Sequence, residues 1–182
     1  MCDGPTPSRD RHPMSPDPPS SEPVLLDEVA ERLVQRLRER SWTIATGESL
    51  TAGLVSSTIA SVPGCSAVFR GTVVAYAPEV KTEVLNVPVE LLRQGIVTEE
   101  VARALAEGAR SRLGATVGIG TTGAAGPDGH DGMPAGTACI AVCSPSEEQV
   151  RTLRVTGDRS QVRHAVTQAA VEAALEILEA GE

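Results

Sequence analysis

Near the end of the chain, two β-rich runs at residues 137–143 and 149–155 are separated only by Ser144-Pro145-Ser146-Glu147-Glu148. A connection this short joins antiparallel strands and leaves no room for a helical crossover. Upstream, strand-like and helix-like segments alternate, which is the pattern of an α/β protein. Together these features predict a three-layer α/β/α sandwich with a mixed, partly antiparallel sheet, and they disfavour a purely parallel doubly wound sheet. No internal repeat is visible.

The 182 residues suffice for one domain. Seven of the thirteen prolines fall within residues 1–23, mixed with Ser and Asp, and this stretch carries too little apolar surface to repay ordering. It is expected to be a disordered tail, with Met14 as an alternative start, and residues 24–182 are expected to form the domain. Leu26, Val29, Leu33 and Leu37 share a helical face that should end near Ser41. A strand from Trp42 to Thr46 is predicted next, then a turn into a helix reaching about Ala60. Residues 68–76 read as β. Short helices are expected at 78–85 and 88–94, and Thr98 has the form of an N-cap with Glu99 and Glu100 in the first turn. A strand at 115–120, the Gly-rich loop 123–136, the two hairpin strands and a final helix with Val162, Val166, Ala169, Ala173 and Ile177 complete the pattern.

A formal net charge of −8 argues against a broad phosphate-binding surface, so nucleic acid is not expected as the main partner. No apolar run is long enough to span a membrane, and the N-terminus lacks a signal-peptide pattern, so a cytoplasmic protein is expected. Four cysteines at positions 2, 65, 139 and 143 do not form a disulfide framework. Cys139 and Cys143 are expected on one face of a strand as small buried hydrophobes, without the further ligands a tetrahedral metal would need.

Fifteen of the sixteen Lys and Arg residues are Arg; the one lysine is Lys81, five residues after the one tyrosine, Tyr76. Lysine is the cation that loses its proton on burial, and general-base work would need its pKa to fall from ~10.4 to roughly 7–8. The alternative is a lysine retained by chance in an Arg-biased chain. A second signal is Gly47-Glu48-Ser49-Leu50-Thr51-Ala52-Gly53 at the predicted start of a helix. Ser49 or Thr51 there either caps the helix or faces an anion or oxyanion held by free N–H groups. The spacing matches neither a P-loop nor the Gly-x-Ser-x-Gly elbow. The third signal is the loop 120–132, with five glycines in thirteen residues, suited to close backbone approach to a ligand or to a plain surface connection. Its Asp128, His130 and Asp131 read as solvated residues in preference to metal ligands. All three signals lie at strand ends, where open α/β sheets place ligands. Their convergence would give an acyl-transfer site with Ser49 as nucleophile, Lys81 as base, Tyr76 as relay or orienter and backbone N–H groups as oxyanion hole.

Thr46 to Gly53, Val62 to Gly71, Tyr76 to Lys81, Thr122 to Pro127, Gly136-Thr137 and Gly157-Asp158-Arg159 together resemble the CinA C-terminal domain family, from about Val24 to the C-terminus. That family includes stand-alone nicotinamide-nucleotide amidohydrolases. The resemblance implies deamidation of nicotinamide mononucleotide to nicotinate mononucleotide and ammonia, in pyridine-nucleotide recycling, with no metal and no cofactor. It implies a small-molecule nucleotide as partner and assembly as a dimer or larger homo-oligomer. Ser49 corresponds to the serine of the family's TAESCTGG motif, and Tyr76 and Lys81 to those of YSNEAK. Thr122, Gly123 and Gly126 match the TGIAGP loop, assigned to ribose or phosphate contact. Glu48, Thr51, Gly53 and Arg159 complete the expected substrate-binding set.

Several positions depart from the family pattern. Gly47, Leu50 and Ala52 stand where Ala, Cys and Gly are usual, Ala77-Pro78 replaces Ser-Asn, and Ala124 replaces Ile. Met133-Pro134-Ala135 occupies the place of Lys-Pro-Val, which removes a positive charge that Arg159 or Arg70 is expected to supply. These departures motivate two alternatives: a non-catalytic nucleotide- or partner-binding protein linked to competence and DNA damage, and an amidase for another nucleotide.

Overall fold

The structure is a computed structural model that describes residues 23–180. The expected tail lies outside the described residues except for Pro23, which opens the first helix. In chain order the elements are α1 (Pro23–Glu39), β1 (Ile44–Glu48), α2 (Leu54–Ala60), a 3-10 turn (Cys65–Ala67), β2 (Phe69–Val74), α3 (Pro78–Leu85), α4 (Val89–Gln94), α5 (Glu99–Arg112), β3 (Val117–Gly123), β4 (Thr137–Cys143), β5 (Glu148–Arg154) and α6 (Arg159–Ala180). The sheet order is β2-β1-β3-β4-β5. β1 runs parallel to β2 and β3, while β3/β4 and β4/β5 are antiparallel, so the sheet is mixed as the short 144–148 connection requires.

Alternating side chains divide the sheet into two packed faces. Ile44, Ile119, Ile140 and Val142 point to one face, against Leu33 and Leu37 of α1, Val55 and Ile59 of α2, and Val166, Ala170 and Leu178 of α6. Ala45, Cys139, Ala141 and Cys143 point to the other, beneath Ala102, Leu105, Ala106 and Ala109 of α5. Cys139 and Cys143 thus share a face as buried small residues. Burial, reinforced by nearby Glu148 and Glu107, pushes the Cys143 thiol up to about 12, which keeps it protonated and unreactive.

α5 lies unusually close to the sheet because its floor lacks side chains. A Cβ at Gly120 would stand 2.0 Å from the Ala102 carbonyl oxygen, and one at Gly47 would stand 2.5 Å from that of Leu105. At Gly47 the fold differs from the sequence expectation. β1 continues past Thr46 through Gly47 and Glu48, because both residues pair on two sides, with Val73 and Val74 of β2 and Gly120 and Thr121 of β3. Pairing on both sides overrides the turn preference of glycine. α2 accordingly begins only at Leu54, with Gly53 as its cap residue, so neither Ser49 nor Thr51 caps it.

The short helix at 78–85 and the Thr98 cap appear as predicted, and the helix expected at 88–94 begins at Val89, with Pro88 as the residue before its first turn; Thr98 Oγ1 accepts from the Val101 N–H at 3.2 Å. Among the described residues, no helix is long and apolar enough to cross a membrane.

Candidate active site

The segment after β1 is organised around Glu48. Its side chain is fully buried, and its two carboxylate oxygens accept from Thr46 Oγ1 (3.0 Å), Thr51 Oγ1 (2.8 Å), and the N–H groups of Gly53 (2.8 Å), Val55 (3.2 Å) and Ser56 (2.8 Å). A strand residue therefore satisfies the exposed N–H groups at the start of α2, the task that sequence reasoning assigned to Ser49 or Thr51. Glu48 does not line the cavity described below, and its oxygens are occupied within the protein; as a substrate contact it is corrected to a structural anchor. Thr51 is likewise fully buried, between Glu48 and the Thr121 hydroxyl at 2.7 Å.

Ser49 follows directly. Its N–H donates to the Thr121 carbonyl at 3.0 Å, and its own carbonyl accepts from the Ala52 N–H at 3.2 Å. Ala52 turns the chain with φ of 51°, a left-handed conformation that glycine, usual in the resembling family, adopts without a Cβ penalty. Arg163 of α6 holds the turn from the side, donating from Nε to the Leu50 carbonyl (3.0 Å) and from Nη2 to that of Thr51 (2.7 Å).

Lys81 sits in α3, whose first turn is set by Pro78. Only 1% of it is exposed, and Nζ donates to the carbonyls of Ala75 (2.8 Å) and Tyr76 (2.9 Å). Burial disfavours the ammonium and pulls the Lys81 pKa below its ordinary value, with nearby Glu79 opposing the shift. Two carbonyls engage two N–H groups, so a neutral amine held this way keeps its lone pair for a third partner.

Tyr76 is 59% exposed, and its hydroxyl accepts from Arg159 Nη2 at 2.8 Å. Arg159 also donates through Nη1 to the Gly126 carbonyl at 3.0 Å, tying the start of α6 to both the Tyr76 segment and the Gly-rich loop. That loop is pinned on both sides of Gly126 by Ile96, whose N–H donates to the Asp131 carboxylate and whose carbonyl accepts from the Thr122 hydroxyl at 2.8 Å.

These segments enclose a cavity of about 460 Å³. Ser49, Tyr76, Lys81, Gly123, Gly126 and Arg159 line it, so the three sequence signals do meet at one place. Leu50, Ile96, Asp128 and His130 contribute to the same wall. Glu48, Thr51, Gly53 and Thr122 lie outside the lining and act through the segments they brace. Arg70 is also outside: its Nε donates to the Leu113 carbonyl at 3.4 Å, where α5 leads toward the start of β3, so the added rim charge comes from Arg159. Among the described residues, no cluster of three His, Cys, Asp or Glu side chains is disposed to hold a metal. Sequence reasoning missed Arg163 and Ile96. The only sequence signal for Arg163 was its position one helical turn after Arg159.

The cavity lies at the carboxyl end of parallel strands and is walled by a glycine-rich loop, the place where open α/β sheets commonly hold ligands. The sequence profile described as the CinA C-terminal domain matches residues 26–178, and the chain belongs to that family. A CinA-like protein of Anaeromyxobacter sp. (strain K) is 49% identical over 149 residues, covering 81% of this chain and 36% of that protein. A CinA-like protein of Frankia casuarinae is 46% identical over 128 residues, covering 70% of this chain and 30% of that protein. The chain thus spans about a third of the length of these curated relatives. A solved CinA superfamily protein from Klebsiella pneumoniae superposes with a TM-score of 0.81 at 30% identity, covering 85% of this chain and 98% of that one.

Proposed function

We propose that the cavity is the active site of an amidohydrolase that converts nicotinamide mononucleotide to nicotinate mononucleotide and ammonia. The observation that supports this reading most is Lys81: the chain's one lysine is buried and depressed in pKa, and it lines the same cavity as Ser49.

In this reading Ser49 Oγ adds to the carboxamide carbon while its proton passes to neutral Lys81 Nζ. Collapse of the tetrahedral adduct breaks the C–N bond, and ammonia leaves with the proton that Lys81 returns. Water then adds to the nicotinoyl ester, again giving a proton to Lys81, and as the ester bond breaks Lys81 returns that proton to Ser49 Oγ, which frees the acid and restores both side chains. Arg159 faces the nucleotide's phosphate, and the loop 123–129 brings its backbone close to the ribose.

Incubating the purified chain with nicotinamide mononucleotide, with S49A as control, tests this. Ammonia released by the wild type and lost in S49A is the expected result. Saturable calorimetric binding without ammonia would replace it with a nucleotide-binding role. Ammonia from another carboxamide nucleotide alone would replace the substrate.

A further inference from the structure

Ser49 is held on its two sides by different parts of the fold. Its N–H is fixed to β3 through the Thr121 carbonyl, whereas the backbone carbonyls of the two residues after it are gripped from α6, where Arg163 donates to Leu50 and Thr51 at 3.0 and 2.7 Å; the Thr51 side chain is held separately by Glu48 and Thr121. The peptide joining Leu50 to Thr51 is planar, so drawing the Leu50 carbonyl toward Arg163 turns the Thr51 N–H the opposite way. Ala52 keeps this turn in a left-handed conformation that an Ala residue disfavours, a strain that the Arg163 hydrogen bonds help to offset. Arg163 lines no part of the cavity, although Arg159, four residues earlier on the same helix, does. The two arginines therefore divide the work of α6 between the mouth of the cavity and the turn that carries Ser49.

We infer that Arg163 is a positioning residue, which fixes the Ser49 turn in its reactive geometry by clamping the carbonyls of Leu50 and Thr51. A planar guanidinium engages two carbonyls at once, whereas a lysine ammonium at the end of a flexible stem holds one well. The inference rests on Ser49 being the nucleophile of the proposed amidohydrolase.

The test is phosphonylation of Ser49 by a small fluorophosphonate, followed by intact-mass spectrometry. In that reaction the Ser49 Oγ–P bond forms, the P–F bond breaks, fluoride leaves, and the serine proton passes to Lys81, so the rate reports nucleophile geometry without depending on the natural substrate. R163M is expected to label about 10²-fold more slowly than the wild type and to lose kcat for ammonia release while KM holds, since a misplaced nucleophile slows chemistry and not binding. R163K is expected to recover part of the rate. I177V, a core trim elsewhere on α6, serves as a matched control for lowered melting temperature and is expected to label at the wild-type rate.

Wild-type labelling of R163M overturns the inference. So does a slowing that I177V reproduces at equal melting temperature. A wild-type chain whose Ser49 resists the reagent overturns the nucleophile itself, and the inference with it; a labelled wild type that releases no ammonia from the nucleotide overturns only the substrate.

Discussion

Lys81 Nζ donates a 2.9 Å hydrogen bond to the backbone carbonyl of Tyr76, so the single lysine of the chain is anchored on its single tyrosine. The same Tyr76 presents its hydroxyl to Arg159, and one residue thereby links the floor of the cavity to its mouth. Buried amine, exposed phenol and rim guanidinium form a continuous hydrogen-bonded connection from α3 to α6.

Burial lowers the Lys81 pKa, and this has a signed consequence for stability. The ordinary value is 10.5; between the lowered folded-state value and 10.5 the unfolded chain binds a proton that the folded chain does not. Stability from this group therefore rises with pH across that window and falls as pH drops through the folded-state value. Because the chain has one lysine, a 15N-lysine spectrum contains one side-chain signal to follow. Its midpoint is expected below 10.5, and a midpoint at or above 10.5 contradicts the desolvation argument.

Ser49→Ala should leave the fold intact, since the Ser49 contacts to Thr121 and Ala52 are all backbone. Thermal melting is expected to change by no more than ~0.5 kcal/mol equivalent. Turnover is expected to fall at least ~10³-fold, as measured by ammonia release. A well-folded S49A with appreciable kcat would mean that water attacks directly.

Glu48→Ala removes the acceptor for three N–H groups and two hydroxyls inside the fold. Leaving several buried donors unpaired is expected to cost about 3–5 kcal/mol in urea unfolding, with activity lost as a consequence. Glu48→Gln keeps the shape but turns one acceptor into a donor facing N–H groups, and a smaller loss of about 2 kcal/mol is expected. A Glu48→Ala protein as stable as the wild type would contradict the anchoring role.

Gly47→Ala restores the residue usual in the resembling family, yet it should destabilise this chain. The new Cβ would meet the Leu105 carbonyl oxygen at 2.5 Å, a backbone atom that cannot swing aside. Overpacking of this kind is expected to cost about 1–3 kcal/mol, read as a lowered melting temperature. An unchanged melting temperature would show that α5 shifts without penalty.

Much of the site was legible from residue types alone. A lone lysine and a lone tyrosine five residues apart, a serine in a strand-to-turn segment and a glycine-rich loop each stood out locally, and each lines the cavity. The mixed sheet was legible because a five-residue connection admits only an antiparallel pair. What escaped the sequence depends on partners brought together by folding. Glu48 reads as a ligand contact until its position at the end of a doubly paired strand points it under α2. Arg163 reads as an ordinary helix cation, because its acceptors lie 113 and 112 residues away and are backbone atoms without a residue-type signature. Gly47 reads as part of a turn until α5 is laid across it.

The most direct measurement of the central claim is ammonia release from nicotinamide mononucleotide as a function of pH, for the wild type and K81R. In the proposed mechanism neutral Lys81 is the active form, so wild-type kcat is expected to rise with pH through a midpoint below the ordinary lysine value. K81R is expected to be inactive at every pH, because arginine keeps its proton. Release by K81R at the wild-type rate, or a wild-type rate that does not rise with pH, would contradict the account.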